Sequence, residues 1–262
     1  ANNSLVDEFG RHHTDLRISV TDRCNLRCGY CMPLEASFMS QQRLLTYDEV
    51  ARCANVASEM GIQTIRLTGG EPLMRPRLDQ LIEQLTQLPK IQEVALTTNG
   101  LLLADQAAGL ARAGLSRLNV SLDSLDEARF EKIARRSGLQ RILEGLEEAR
   151  RQGFRSIRMN AVSIRGLTEQ DIVPLAEFCR THCFHLRFIE FMPLDAEDAW
   201  SREDVLTGRE VRQILEMHIG ELSQIEGNNP GQPSIDYAYV DGSGVVGFIN
   251  PVSQPFCDRC DR

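Results

Sequence analysis

Segments in which apolar and polar residues alternate recur between residue 15 and about residue 220, and longer amphipathic segments separate them. The alternating segments predict strands at 15–20, 62–68, 91–97, 116–122, 154–164 and 185–191. The longer segments, with apolar residues every three or four positions, predict helices, for example at 47–60, 126–136, 139–152 and 169–181. Strands that alternate with helices indicate parallel βαβ units with right-handed crossovers.

Two of the predicted helices begin with a capping signal. Thr46 is followed three positions later by Glu49, and Thr168 is followed in the same way by Asp171. In a capping box the threonine side chain and the acidic side chain three positions on satisfy backbone N–H groups at the helix start. We therefore expect helices to begin just after Thr46 and just after Thr168.

The pattern changes beyond residue 220. Segment 227–234 is rich in asparagine, glycine and proline, a composition that predicts a loop. Segments 235–240 and 244–249 are apolar and aromatic and are joined by Asp-Gly-Ser. They predict the two strands of a β-hairpin.

Polar residues occupy one face of several predicted strands, although parallel strands covered by helices are usually apolar on both faces. These polar positions are Arg17, Ser19, Thr21, Thr64, Arg66, Thr68, Arg117, Asn119, Ser121, Asp123, Ser156, Arg158 and Asn160. If the apolar faces contact the helices, the polar faces line the inside of a barrel. An antiparallel sheet with one solvated face is the alternative, which the intervening helices disfavour.

A closed eight-stranded barrel fills its interior with packed side chains. Six strands with a polar inner face instead predict an α/β fold with a partial (β/α)6 TIM-like barrel, followed by an extension that carries the β-hairpin. The arginines among the inner positions predict a wet cavity for a large anionic ligand.

Composition narrows the class of protein. The chain has 262 residues, 42% of them hydrophobic and 25% charged, as is ordinary for a globular domain. Its net charge of −8 offers nucleic acid no general attraction. The sequence contains neither the roughly 18 apolar residues of a membrane span nor an apolar signal segment. We expect a cytoplasmic protein with reduced thiols.

The eight cysteines divide into two groups. Cys53, Cys179 and Cys183 are isolated within apolar helical surroundings, and we interpret them as buried core thiols. The others are clustered near the two ends of the chain, which is typical of metal ligands: Cys24, Cys28, Cys31, Cys257 and Cys260.

The first three cysteines have the spacing C-x3-C-x2-C in TDRCNLRCGYCMP, residues 21–33. Thiolates from one short loop bind iron or zinc, but a zinc site usually needs a fourth protein ligand, and none is obvious here. Three cysteines suit a [4Fe–4S] cluster with one iron left open. Because the loop follows the first strand, it belongs at the C-terminal mouth of the barrel, where barrel active sites lie.

The cysteine triplet, with Tyr30 before its third member, resembles the radical S-adenosylmethionine (SAM) superfamily, as does TGGEP (68–72) after the second strand. From residue 9 to the end the chain resembles the GTP 3′,8-cyclase family of molybdenum cofactor biosynthesis. The matching stretches are FGRHHTDLRISVTDRCNLRCGYCMP, IRLTGGEPL, TTNG, LNVSLDSLD, RFIEFMPL and PFCDRC. We expect two glycines in TGGEP to let the backbone approach a ligand closely.

The resemblance implies a role for each matching residue. Cys24, Cys28 and Cys31 would hold a [4Fe–4S] cluster whose open iron binds S-adenosyl-L-methionine. The residues that would contact this cofactor are Tyr30, Gly70, Ser121 and Met192. Those that would contact GTP are Arg17, Arg66, Thr97, Arg158 and Arg262. Cys257 and Cys260 match two ligands of a second [4Fe–4S] cluster, which in the family lies at the other mouth and binds the guanine base.

The implied reaction needs no catalytic acid or base from the protein. A 5′-deoxyadenosyl radical removes the hydrogen at C3′ of GTP, and the carbon radical attacks C8 to give 3′,8-cyclo-7,8-dihydro-GTP. The implied partners are GTP, a reductant protein and the downstream cyclic pyranopterin monophosphate synthase, with neither nucleic acid nor membrane. The resemblance leaves open whether the protein forms a homodimer.

The resemblance implies two regions, a radical SAM partial barrel over 1–220 and the start of an auxiliary-cluster region over 221–262. Two departures from the family stand out. Arg158 occupies a position where the family usually has lysine, which keeps the charge. The family also continues beyond CDRCDR with a third cluster cysteine and a tail ending in two glycines. We expect an incomplete chain that binds the first cluster and S-adenosylmethionine but turns GTP over poorly.

Two other functions fit parts of the pattern. One is a different radical SAM enzyme with an auxiliary cluster, such as a peptide-maturing enzyme, against which the inner arginines argue. The other is a non-catalytic iron–sulfur or zinc protein, a sensor or electron carrier, which would have no use for TGGEP or a polar cavity.

Anaerobic iron and sulfide analysis tests the expected cluster content. Because Cys257 and Cys260 match only two ligands of the second cluster, we expect about four irons per chain after reconstitution. About eight irons per chain would contradict this expectation, and zinc in place of iron would contradict the radical SAM interpretation.

Overall fold

The structure, a computed structural model, describes residues 5–194, 200–226 and 231–260. In these residues a parallel sheet forms the inner layer of the fold. Its strands lie side by side in chain order: β1 (Asp15–Ser19), β2 (Thr64–Thr68), β3 (Glu93–Thr98), β4 (Arg117–Ser121), β5 (Ile157–Ser163) and β6 (His185–Glu190). Each strand overlaps the segment that alternation predicts, but β2 and β3 begin two residues later and β5 begins three residues later than predicted.

Helices cover the outer face of this sheet. They are α1 (Tyr47–Glu59), α2 (Leu78–Thr86), α3 (Leu103–Arg112), α4 (Glu127–Ala134), α5 (Leu139–Arg151), α6 (Ile172–His182) and α7 (Gly208–His218). The apolar strand residues, such as Leu67, Leu96 and Leu118, are fully buried in one core with helix residues such as Leu81 and Ile142. The four helices named from the sequence are confirmed.

A C-terminal hairpin extends the same sheet. Strands β8 (Ser234–Tyr239) and β9 (Val245–Ile249) are antiparallel, which confirms the hairpin, and the short strand β7 (Leu222–Gln224) pairs with β8. Strand β9 also pairs in parallel with β6, so the strand order is β1-β2-β3-β4-β5-β6-β9-β8-β7. In the described residues β1 and β7 are the edges, which confirms a partial barrel.

One of the two predicted capping boxes is correct. The backbone N–H of Glu49 donates to Thr46 Oγ1 at 3.3 Å, and that of Thr46 donates to Glu49 Oε2 at 2.7 Å. A helical turn does begin at Glu169, just after Thr168, and leads into α6, but the capping box predicted there is wrong. The Thr168 hydroxyl instead accepts from the N–H of Ile164 and donates to the carbonyl of Val162. Asp171 makes no cap hydrogen bond because its carboxylate binds elsewhere.

The interpretation of the three isolated cysteines as buried core thiols is wrong for two of them. Cys179 is buried against Met159, as expected, but Cys53 and Cys183 are exposed. Helix α1 buries a stripe that contains Ala54, and Cys53 lies about 100° around the helix from it. Cys183 follows α6 in the left-handed conformation, where the chain turns away from the core. No helix among the described residues is long and apolar enough to cross a membrane.

The buried carboxylate of Asp171 ties α4 to α6. Its side chain is 0% exposed, and its two oxygens accept from Arg129 Nε at 3.0 Å, Arg129 Nη2 at 3.1 Å and Ser124 Oγ at 2.6 Å. We expect Asp171→Asn to reduce the free energy of unfolding by about 2–3 kcal/mol. The variant removes the negative charge and places an NH2 donor where a carboxylate oxygen now accepts a hydrogen bond.

Urea denaturation measures this loss. The control is Asp105→Asn, which breaks the exposed ion pair with Arg141 and should cost less than about 0.5 kcal/mol. Equal stabilities of the two variants would show that the Asp171 network does not stabilise the packing of α4 on α6.

Candidate cofactor and substrate site

The inner faces of the strands enclose a cavity of about 240 Å³. Its lining residues are Arg17, Tyr30, Arg66, Thr68, Thr97, Asn119, Ser121, Asp123, Asn160, Val162, Arg187, Ile189, Pro233 and Ile249. Most of the strand residues among them belong to the faces that the sequence pattern marked as polar. The prediction of a polar barrel interior is therefore confirmed.

Arginines from β1, β2, β4, β5 and β6 surround this interior, namely Arg17, Arg66, Arg117, Arg158 and Arg187. Three of them face carboxylates, in the pairs Arg66–Asp15 at 2.5 Å, Arg117–Glu93 at 2.5 Å and Arg187–Asp236 at 3.8 Å. Arg17 and Arg158 form no ion pair with a carboxylate of the described residues, although Asp15 acts on Arg17 and Glu93 and Asp236 act on Arg158 at longer range. With Asp123, which also lines the cavity, five guanidinium groups stand against four carboxylates, so an excess of positive charge remains.

Burial makes this charge costly. Burial and then the charge of Arg158 lower the pKa of Arg117 to about 10 and that of Arg187 to about 9. Burial also lowers the pKa of Arg17, which lies beside Arg66 in the sheet register.

Several guanidinium N–H groups have no hydrogen-bond partner in the described protein. They are Nε of Arg66, Nε of Arg117, and both Nε and Nη2 of Arg187. A buried donor without a partner is unfavourable, and a buried charge more so. An anion with several oxygens would satisfy both the donors and the excess charge.

The cysteine loop follows β1 at the C-terminal mouth of the barrel. The backbone N–H groups of Arg27 and Gly29 donate to the last residues of α4 at 3.0 Å and 3.1 Å, which fixes the loop against that helix. The thiols of Cys24 and Cys28 are half-buried, and Cys31 is exposed.

The chemistry of this donor set fits an iron–sulfur cluster. Burial, followed by nearby negative groups, raises the pKa of all three thiols, so the thiolates need a cationic partner to form. The N–H of Leu26 and Nδ2 of Asn99 point at Cys24 Sγ at 3.4 Å and 3.8 Å, as donors to a cluster thiolate do.

Among the described residues no group of three or more histidine, cysteine or acidic side chains is arranged to hold a single metal ion.

Gly69 and Gly70 bring the second strand's loop onto the backbone that leads to Cys24. A Cβ atom would lie less than 3.0 Å from the carbonyl oxygen of Thr21 at Gly69, and equally close to that of Arg23 at Gly70. The N–H of Gly70 donates to the Thr21 carbonyl at 2.7 Å. The close approach that the sequence analysis assigned to a ligand is thus, in this structure, an approach to the cysteine loop.

Glu71 connects this loop to the third strand. Its buried carboxylate accepts from the N–H of Leu73 at 2.9 Å, from Thr98 Oγ1 at 2.7 Å and from the N–H of Asn99 at 2.7 Å. Burial raises the pKa of Glu71 in spite of these bonds. Asn99 in turn donates to Asn25 Oδ1 at 2.7 Å, so Glu71 and Asn99 together position the start of the cysteine loop.

Tyr30 connects the cysteine loop to the cavity. Its hydroxyl donates to Asp123 Oδ2 at 2.7 Å, and the N–H of Val162 donates to Asp123 Oδ1 at 2.8 Å. Burial raises the pKa of Asp123 to about 6 and also raises that of Tyr30. The bond fixes Tyr30 at the mouth of the barrel where β4 ends with Ser121.

The remaining residues implied for the cofactor lie nearby but do not line the cavity. Gly70 packs on Arg23, and Met192 follows β6 at the same mouth. Among the residues implied for GTP, the structure brings together Arg17, Arg66 and Thr97 as lining residues. Arg158 interacts electrostatically with Arg187.

Cys257 and Cys260 lie apart from the first three cysteines. The segment after β9 first contacts the C-terminal mouth, where the N–H groups of Val252 and Ser253 donate to the carboxylate of Glu190. It then reaches the residues that precede β1, where Arg11 donates to the carbonyl of Cys257. Burial lowers the pKa of Arg17, and a thiolate at Cys260 is close enough to oppose this effect. Arg262 lies outside the described residues.

Sequence reasoning missed Arg187, Asp236 and the roles of Glu71 and Asn99. The strand HLRFIEF alternates like the others, with His185 and Arg187 on one face, so the same pattern could have identified Arg187. Asp236 gave no such signal, because it lies in the hairpin and reaches the cavity only through the tertiary fold.

Comparison with known proteins agrees with this geometry. Residues 18–179 match the family described as the Radical SAM superfamily, and residues 184–262 match Molybdenum Cofactor Synthesis C. The chain is 46% identical to the GTP 3′,8-cyclase of Rhodopirellula baltica, over 99% of this chain and 73% of that protein. The chain belongs to the GTP 3′,8-cyclase family of radical SAM enzymes.

Two further relatives extend the comparison. The GTP 3′,8-cyclase of Mycolicibacterium smegmatis is 43% identical over 100% of this chain and 74% of its own length. Molybdenum cofactor biosynthesis protein 1 of Drosophila melanogaster is 41% identical over 100% of this chain, which spans 46% of that longer protein.

Solved structures share the fold of this cyclase-family chain. SuiB of Streptococcus suis, solved bound to S-adenosylmethionine, has a TM-score of 0.67 and 19% identity over 80% of this chain and 48% of its own. At that identity the likeness shows the fold alone. Membership of the radical SAM superfamily implies an iron–sulfur cluster and S-adenosylmethionine.

We expect Gly70→Ala to prevent cluster assembly. The added Cβ collides with the Arg23 carbonyl, and since that atom belongs to the backbone, the cysteine loop must move. Anaerobic reconstitution followed by iron–thiolate absorbance measures the loss, which we expect to be nearly complete. The control is Gly109→Ala in α3, where a Cβ makes only ordinary contacts and the cluster should form. Normal absorbance in Gly70→Ala would contradict this role.

Proposed function

We propose that this protein converts GTP into 3′,8-cyclo-7,8-dihydro-GTP, the first step of molybdenum cofactor biosynthesis. The observation that carries the proposal is the buried excess of arginine charge in the cavity, directly beyond the cysteine loop. A nucleoside triphosphate is the kind of substrate that such a cavity fits, and the names of the relatives specify GTP.

The triphosphate binds among the guanidinium groups. Arg17, Arg66 and Arg187 line the cavity, and the guanidinium groups of Arg66 and Arg187 carry N–H donors without a hydrogen-bond partner among the described residues. Arginine binds phosphate through two parallel N–H groups and keeps its charge when buried, so it tolerates this site better than lysine would. Thr97 adds a hydroxyl, and Arg262 completes the set from the C-terminal segment.

Cys24, Cys28 and Cys31 would hold a [4Fe–4S] cluster at the C-terminal mouth, and Tyr30, Gly70, Ser121 and Met192 would contact S-adenosyl-L-methionine. When bound and reduced, these groups would supply the radical chemistry that abstracts the C3′ hydrogen of GTP. The protein's part is to position the nucleotide and to exclude water from the cavity.

The polar groups around the cavity act as positioning groups in this scheme. Asp123 holds Tyr30 by a 2.7 Å hydrogen bond, and Glu71 and Asn99 hold the loop that carries Cys24. Removal of a hydrogen atom needs no general base, so the proposal assigns no proton-transfer role to these groups.

The second cluster and the partners extend the proposal. Cys257 and Cys260 lie near Arg11 and Arg17, at the other mouth from the first triplet, and would contribute two of the ligands of a second [4Fe–4S] cluster that binds the guanine base. In this scheme residues 1–220 form the radical SAM barrel and 221–262 begin the auxiliary-cluster region. A reductant protein supplies the electron, and the product passes to cyclic pyranopterin monophosphate synthase.

An anaerobic incubation tests the proposed reaction directly. Reconstituted protein is mixed with GTP, S-adenosylmethionine and a strong reductant, and the products are separated by mass. We expect 5′-deoxyadenosine and a cyclised guanine nucleotide in equal amounts, because one radical is consumed for each ring closed.

A matched incubation without GTP is the control. If 5′-deoxyadenosine forms equally with and without GTP and no cyclised nucleotide appears, the protein is a radical SAM enzyme with another substrate. If no 5′-deoxyadenosine forms although the cluster is reduced, the enzymatic proposal itself fails.

A further inference from the structure

Asp236 reaches the arginine cavity from a strand outside the six parallel strands. In the sheet register Arg187 on β6 lies beside Gly247 on β9, and Gly247 lies beside Asp236 on β8. The guanidinium and the carboxylate are therefore two strands apart, yet Arg187 Nη2 and Asp236 Oδ2 approach to 3.8 Å. Such a contact requires the intervening residue to leave space.

Gly247 provides that space. A Cβ atom there would lie less than 3.0 Å from both Ser234 Oγ and Asp236 Oδ1, and 3.2 Å from Cγ of Arg187. Every residue other than glycine would thus push the carboxylate and the arginine stem apart. The gap at Gly247 lets a side chain from β8 approach Arg187, a lining residue of the cavity, across the intervening strand.

The carboxylate of Asp236 is held in a fixed orientation. Ser234 Oγ donates to Oδ1 at 2.5 Å, Gln232 Nε2 donates to Oδ2 at 3.0 Å, and His185 Nε2 lies 3.5 Å from Oδ1. Burial alone would raise the pKa of Asp236, but His185, Ser234 and the charge of Arg187 hold it at about 2. Asp236 is therefore a carboxylate at any physiological pH.

Arg187 is the most enclosed of the cavity arginines that form ion pairs. Its side chain is 5% exposed, against 11% for Arg66 and for Arg117. Its distance from Asp236 is that of an ion pair without a hydrogen bond, so Nε and Nη2 keep their hydrogens free. The carboxylate thus offsets part of the burial cost of the charge on Arg187, which lines the cavity.

We propose that Asp236 is a positioning residue for triphosphate binding, acting through Arg187 across the gap at Gly247. The inference rests on the proposed function, since it assumes that the cavity binds the triphosphate of GTP. Without the carboxylate, the charge of Arg158 would repel Arg187, a residue that lines the cavity, with no negative charge from Asp236 to offset the repulsion.

The test measures binding of GTP and of inorganic triphosphate to anaerobically reconstituted protein by calorimetry. We expect Asp236→Asn to weaken both affinities about tenfold. The control is Asp241→Asn on the same hairpin, which removes the ion pair with Arg180 at the surface and should leave both affinities unchanged.

A double-mutant comparison separates positioning from general stability. Arg187→Gln should weaken triphosphate binding by itself, and adding Asp236→Asn to it should then have no further effect. A tenfold loss in both backgrounds would mean that Asp236 acts through something other than Arg187, and the inference would be wrong.

A milder variant covers the case in which Asp236→Asn does not fold. Ser234→Ala keeps the charge and removes the 2.5 Å hydrogen bond that orients it, so we expect a several-fold loss of triphosphate affinity that vanishes in the Arg187→Gln background. Unchanged affinity in each variant that folds would overturn the inference. If the unsubstituted protein binds neither GTP nor triphosphate, the proposed function fails instead.

Discussion

The structure depends on burying more positive charge inside the barrel than its own carboxylates balance. Arginines are expensive to enclose, and here burial lowers the pKa of Arg187 to about 9. The helices on the outer face supply the apolar core that makes the fold stable, so the inner face is free to carry this charge. A barrel with its interior reserved in this way is built around an anionic ligand.

The second constraint lies at the C-terminal mouth, where hydrogen bonds and close packing join the cysteine loop to the loops that follow β2, β3 and β4. Gly70 packs on the backbone before Cys24, Glu71 binds the loop after β3 through Asn99, and Tyr30 binds Asp123 after β4. Because these bonds join the cysteine loop to the same strands that carry the arginines, they fix the position of the cysteine loop relative to the arginine-lined cavity. The distance between a reactive group and the nucleotide is thus set by the sheet itself.

Much of this was available from the sequence, and the failures have physical causes. Alternation predicted the strands and the polar interior because the inner faces of β1, β2, β4 and β5 each have at least two consecutive polar positions, whereas Ala95 interrupts the inner face of β3. It could not show that Asp236 reaches the cavity, since that contact crosses a strand through Gly247. Burial of Cys53 and Cys183 was wrong because helical surroundings in the sequence do not say which side of the helix meets the core.

The central claim is that the interior binds the phosphates of its nucleotide through unbalanced guanidinium charge. Titration of the reconstituted protein with GTP and with GMP tests it most directly, because the two ligands share the base and the ribose. Charge-assisted hydrogen bonds contribute about 1.5–3 kcal/mol each, so we predict that GMP binds at least about a hundredfold more weakly than GTP. Equal affinities for the two nucleotides would contradict the account.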